Sequence, residues 1–199
     1  MLKKNKLLYL HGFSGSPQSH KAQQLLAVMR QQGCDDLLVI PQIPVVPADA
    51  ASMLKQLAES ILTDYNLSVA GSSLGGYYAT WLAEQYDCTA VLINPAIEPY
   101  KTLEAHLGEN KFYYSEQTWE FKPVHIDQLR QMDVTEISHP ENFLVLLQTG
   151  DEVLDYHQAA RKFSQAECVI EPGGNHAFNG FENHIKRLLN FSHIICPAP

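Results

Sequence analysis

Short apolar runs alternate with longer amphipathic stretches along most of the chain, and this alternation limits the fold more than any other feature of the sequence. The runs fall at residues 6–10, 37–40, 67–70, 90–93, 143–148 and 168–170 and read as strands. Residues 20–32 place Ala22, Leu25, Leu26 and Met29 on one helical face. Met53, Leu54, Leu57, Ala58 and Ile61 form a second stripe behind Asp49, which reads as the N-cap of that helix. Residues 74–86, 156–163 and 181–191 read as three further helices. Strands that alternate with helices return to parallel neighbours through crossovers, which gives an α/β chain with a parallel sheet and helices on both faces. The near-continuous apolar character of the later strands is what a doubly covered sheet requires.

One stretch breaks the pattern. Residues 95–140 are too many for a simple crossover and include Phe112, Tyr113, Tyr114, Trp119 and Phe121. They are expected to form a small helical lid, with Ile126, Leu129 and Met132 on one face of a short helix. The 199 residues are expected to form a single domain, 1–199, with 95–140 as a lid-like insertion. The formal charge of -8 repels phosphate backbones and anionic membrane surfaces, so neither nucleic acid nor a membrane is an expected partner. Lys3, Lys4 and Lys6 precede only Leu7-Leu8-Tyr9-Leu10, well short of the roughly 7–15 apolar residues of a secretory signal, and the chain is expected to be cytoplasmic. Cys34, Cys88, Cys168 and Cys196 show no C-x-x-C spacing and are expected as reduced thiols, with the tail from Cys196 to Pro199 frayed.

In an open parallel sheet, functional groups collect at the carboxyl ends of the strands. Gly71-Ser72-Ser73-Leu74-Gly75 stands at such an end, after the third strand and before a helix. It fits G-x-S-x-G with Ser73 at the centre; Ser72 is excluded because Ala70 and Leu74 flank it at the same spacing. A serine on a sharp strand-to-helix turn is held in a strained conformation, and side chains at the flanking positions would clash. A phosphate-binding reading of these glycines fits less well, since no Gly-Lys-Ser/Thr follows and G-x-G-x-x-G is absent.

A serine hydroxyl needs a base to take its proton. Asp151 follows the fifth strand directly, and His176 lies in Gly173-Gly174-Asn175-His176-Ala177 after the sixth. The order Ser, Asp, His is that of one large class of serine hydrolases. Asp155 reads as the cap of the next helix and is the alternative acid. Of nine histidines, only His176 follows the last strand directly; His157 opens a helix, and His184 and His193 belong to the last helix region. An oxyanion needs two N–H donors, expected from Leu74 and from Phe13 in His11-Gly12-Phe13-Ser14-Gly15, with His11 bracing that loop. The histidines and cysteines form no metal-ligand spacing, and neither metal nor cofactor is expected.

Residues 8–13, 71–81, 94–96, 149–156 and 173–178 together resemble the YqiA-like esterases of bacteria, within the α/β-hydrolase superfamily. The resemblance covers nearly the whole chain and is weakest across residues 101–139. It implies a reduced α/β-hydrolase fold, a six-stranded parallel sheet in the order 2-1-3-4-5-6. It also implies hydrolysis of carboxylic esters or thioesters with a triad on Ser73, Asp151 and His176. Tyr77, Phe112, Tyr113 and Trp119 are the expected walls of an acyl pocket; for Tyr77 and Trp81 core packing is the competing reading. Two alternatives stand beside the esterase: an acyl thioesterase with the same triad, and a non-catalytic ligand-binding protein on the same fold.

Overall fold

A computed structural model describes residues 3–196. Its main sheet has six parallel strands: β1 (Asn5–Leu10), β2 (Leu38–Val39), β3 (Asn66–Ser72), β4 (Thr89–Ile93), β7 (Phe143–Gln148) and β8 (Glu167–Glu171). Their spatial order is β2-β1-β3-β4-β7-β8, the order expected once the two strands of the insertion are set aside. β1 runs beside β3 from Asn5↔Asn66 to Leu10↔Gly71, so their carboxyl ends finish level.

The two-residue period of each strand divides the core. Leu8, Leu10 and Val69 face one layer, which holds Leu54 and Ala58 of α2 (Pro47–Asp64) and Leu82 of α3 (Leu74–Tyr86). Leu7, Tyr9 and Ala70 face the other, with Leu25 and Met29 of α1 (His20–Gln31) and Leu188 of α7 (Ile185–Phe191). Among the described residues no helix is long and apolar enough to cross a membrane.

The local structure differs from expectation in three places, two of them helix ends. α2 starts at Pro47 with Val46 as N-cap, so Asp49 is a first-turn residue rather than the cap. Proline has no N–H to donate and its φ suits the first helical position, where Asp49 then faces the positive helix end. The last helix is preceded by a 3₁₀ turn, Phe181–His184, and becomes α-helical at Ile185. α6 (Tyr156–Lys162) is capped as expected, Asp155 Oδ1 accepting from the His157 N–H at 3.0 Å.

The third difference lies between β4 and β7. This segment carries α4 (Pro99–Thr102), a 3₁₀ turn and α5 (Pro123–Arg130), but also an antiparallel hairpin of β5 (Gly108–Lys111) and β6 (Thr118–Phe121). The expectation of a purely helical lid is corrected by that hairpin. Its alternation is visible in β6, where Trp119 and Phe121 turn inward while Thr118 and Glu120 are exposed. Ile126, Leu129 and Met132 are buried together as the helical spacing predicts.

The cysteines also depart from expectation. Cys34 and Cys196 are disulfide-bonded, with Cα atoms 5.2 Å apart and a sequence separation of 162. Cys88 and Cys168 are free. The bond ties the segment after α7 to the end of α1, so Cys196 is not part of a frayed tail; residues 197–199 lie outside the described residues. Spacing rules read neighbours along the chain, and these two sulfurs meet only through packing. Closing so long a loop restricts the unfolded chain strongly. Cys196→Ser is therefore expected to lower stability by about 2–5 kcal/mol. The check is a melting curve, with reductant lowering the Tm of the wild type but not of the variant. Thiol titration of the unreduced chain in denaturant should count Cys88 and Cys168 alone; equal melting of wild type and variant would remove the bond's structural role.

Candidate active site

The carboxyl ends of β1, β3, β7 and β8 bring Ser73, Asp151 and His176 together. Ser73 is the N-cap of α3 with φ 56° and ψ -122°, a conformation that L-residues adopt only under constraint. The constraint comes from the glycines. A Cβ on Gly71 would stand 2.1 Å from the Gly75 carbonyl oxygen, and one on Gly75 would stand 2.1 Å from that of Leu10. Glycine at both positions lets β3, α3 and β1 close on the turn, and the turn lifts the Ser73 side chain to the edge of the sheet.

His176 Nε2 lies 3.0 Å from Ser73 Oγ, and His176 Nδ1 lies 2.8 Å from Asp151 Oδ2 and 3.0 Å from Oδ1. With a proton on Nδ1, the ring donates to Asp151 and accepts from the Ser73 hydroxyl. The Asp151 side chain is only 2% exposed and that of His176 22% exposed. Burial alone would push the Asp151 carboxyl up. Hydrogen bonds from His176 and from the N–H groups of Leu154 and Val153 outweigh it and hold the carboxyl below its ordinary value. Asp155 is instead exposed and paired with His157, away from this constellation.

The first loop passes close beside the serine. A Cβ on Gly12 would meet the Ser73 Cβ at 3.3 Å. The N–H groups of Phe13 and Leu74 have no hydrogen-bond partner among the described residues. His11 braces the loop as expected: Nε2 accepts from the Ile43 N–H at 3.1 Å and Nδ1 donates to the Gly12 carbonyl at 3.0 Å. Burial holds this imidazole below its ordinary value, against the pull of the Gly12 carbonyl, so it stays neutral.

Ser73, His176 and Phe13 line a cleft of about 540 Å³. Of the four expected pocket residues, Tyr113 lines it, together with its neighbour Tyr114. The other three stand elsewhere. Tyr77 is buried, with its hydroxyl donating to the Leu129 carbonyl at 2.6 Å, and so ties α3 to the insertion. Phe112 lines a separate cavity with Ile43 and Val45. Trp119 packs on Phe13 at 5.3 Å between ring centroids and donates from Nε1 to Ser14 Oγ, bracing the first loop from outside. Aromatic residues are placed by the hairpin, whose two faces were not legible as a hairpin in the sequence.

Sequence reasoning missed the residues that hold the histidine loop. Gln148 Oε1 accepts from the N–H groups of Asn175 and Asn179, while its Nε2 donates to Glu171 Oε2 and to the Asn179 carbonyl. Asn94 Oδ1 accepts from the Gln148 N–H, and its Nδ2 donates to the Asn175 carbonyl at 3.0 Å. Glu152 Oε2 accepts from the His176 N–H at 3.0 Å. His184, set aside as a base, pairs with Glu171 at the margin of this network. A glutamine closing the apolar run 143–147 was the available signal, since a buried amide must be satisfied on all sides.

The fold is shared with known esterases and serine hydrolases. Est1E from Butyrivibrio proteoclasticus superposes with a TM-score of 0.66 over 97% of this chain and 87% of its own, at 12% identity. XC6422 from Xanthomonas campestris, described as a member of the α/β serine hydrolases without a lid, gives 0.62 over 100% and 85%, at 15% identity. At these identities the likeness is one of fold. By sequence, the chain is 27% identical over 191 residues to a UPF0227 protein of Citrobacter koseri, covering 93% of this chain and 97% of that one. It is 26% identical over the same length to the UPF0227 protein YcfP of Salmonella gallinarum. Residues 6–193 match the family described as "Uncharacterised protein family (UPF0227)", and the chain therefore belongs to this YcfP/YqiA-like family, built on the α/β-hydrolase fold.

Proposed function

We propose that the chain is a serine esterase that cleaves carboxylic esters through an acyl-enzyme. The observation that carries this reading is the unbroken hydrogen-bond chain from Ser73 Oγ through His176 to Asp151, opening onto a cleft beside two uncommitted N–H groups. Ser73 Oγ attacks the ester carbonyl as His176 Nε2 takes its proton. The N–H groups of Phe13 and Leu74 receive the oxyanion, and Asp151 stabilises the imidazolium. His176 then protonates the departing alkoxide, and a water molecule, deprotonated by the same nitrogen, releases the acid and restores Ser73. Every group named belongs to this chain or to water.

A fluorophosphonate probe tests the reading. It should label the native chain at Ser73, and mass spectrometry of the labelled peptide locates the adduct. A panel of nitrophenyl esters and acyl thioesters should then show turnover, the ratio of the two arms separating an esterase from a thioesterase. No labelling and no turnover on either arm would leave a non-catalytic ligand-binding protein on a hydrolase fold.

A further inference from the structure

The histidine side of the cleft holds polar groups that the proposed reaction does not use. Tyr9, near the end of β1, is fully buried and lines the cleft, and its hydroxyl has no hydrogen-bond partner among the described residues. Burial raises its pKa, and Tyr114 on the cleft wall raises it further, so the group is a neutral donor. Ser19 also lines the cleft, with its Oγ buried and unpartnered. It is the N-cap of α1, yet its side chain caps no N–H, and the first turn of that helix contains no acidic residue. A helix start of this kind normally has its free donors met by a serine oxygen or a carboxylate. Here neither is supplied.

Lys21 completes the group. Its Nζ donates to the carbonyl of Ala177, the residue after His176, at 2.8 Å, which leaves two N–H donors. Among the residues that line the cleft it is the only lysine, arginine, aspartate or glutamate. It forms no ion pair among the described residues. Asp151 is near enough to favour the charge, but its oxygens are taken by His176, Val153 and Leu154. Burial pulls the ammonium down to about 8, against that influence of Asp151, so most of it is still cationic at neutral pH. A part-buried cation whose only acidic influence is the already hydrogen-bonded Asp151, and which makes no direct ion pair among the described residues, carries a desolvation cost that an incoming anion would offset.

We propose that Tyr9, Ser19 and Lys21, at the amino end of α1, form a subsite for an anionic group, a carboxylate or a phosphate, carried by the ester substrate. Hydroxyl donors, an ammonium and the positive end of a helix are together the chemistry that recognises such a group. The subsite adjoins Ala177, so the anion docks beside the imidazole that handles the leaving group. This inference rests on the esterase reading for its substrate but not for the existence of the anion site.

Matched esters test the substrate claim. 4-Nitrophenyl hydrogen glutarate against 4-nitrophenyl pentanoate places the charge in the acyl part. 4-(Butanoyloxy)benzoate against 4-acetylphenyl butanoate places it in the leaving group. One anionic ester should exceed its neutral partner in kcat/KM by about 10-fold or more, mostly through KM. Lys21→Met should erase most of that ratio, Lys21→Arg should retain part of it, and Tyr9→Phe should reduce it. A ratio near one for both pairs, or one that survives Lys21→Met, overturns the substrate claim. Inorganic phosphate probes the site without catalysis: in a Ser73→Ala background it should raise the Tm, and the shift should vanish on adding Lys21→Met. Equal phosphate shifts in both proteins, or none in either, overturn the anion site. Loss of all ester turnover with the phosphate response intact would instead sink the esterase reading alone.

Discussion

In a Ser73→Ala variant, ester hydrolysis is expected to fall roughly 10^3-fold or more, the scale of nucleophile losses in serine hydrolases. The substitution removes one oxygen whose partner is His176 Nε2 and leaves the turn intact. The Ser73 carbonyl still accepts from the N–H groups of Gly76 and Ala96, and no other side chain relies on Oγ. The variant should fold and melt close to wild type. Ser73→Gly should be equally inactive but more stable than the alanine form by about 1 kcal/mol, because the φ of 56° is strained for any residue with a Cβ. Steady-state kinetics and melting curves of the two variants check both statements. Near-wild-type turnover in Ser73→Ala, with an inactive Ser72→Ala, would transfer the role to the wrong side of the turn and end the assignment.

Asp151→Asn is the second large effect, a loss of roughly 10^3–10^4-fold in kcat. An asparagine Oδ1 can still accept from the Val153 and Leu154 N–H groups, so the loop should keep its shape. Its NH₂ then faces His176 Nδ1, which must become the acceptor. The proton moves to Nε2, the nitrogen that has to receive the serine proton. Asp155→Asn should leave turnover near wild type, because that carboxylate caps α6 and asparagine caps as well. A reversed pattern in the two variants would hand the acid's role to Asp155.

Much of this was legible in the sequence for a local reason. Strand and helix periods are properties of a few neighbouring residues, so β1, α3 and β7 could be placed nearly to the residue. Alternation then implied parallel pairing, and Ser73, Asp151 and His176 could be assigned to strand ends before any contact was known. The hairpin of the insertion was harder. Its strands are four residues each, and their inward positions become apolar only at Trp119 and Phe121. The aromatic residues were thus identified as a group, while their division between the cleft, the first-loop brace and the core depended on which way each strand faces.

The sequence by itself determined the parallel sheet, its order, the strained serine turn and the chain order of the three residues that meet there. The order of the strands came from the family resemblance, and the others follow from local periodicity or from glycine at positions where a Cβ cannot fit. Only the tertiary structure decided the Cys34–Cys196 bond, the hold of Gln148 and Asn94 on the histidine loop, and the convergence of Tyr9, Ser19 and Lys21 on the cleft. The disulfide, the hold on the histidine loop and the contact of Lys21 with Ala177 join segments far apart in the chain, and a polar side chain shows its role only through the partners that packing gives it or withholds from it.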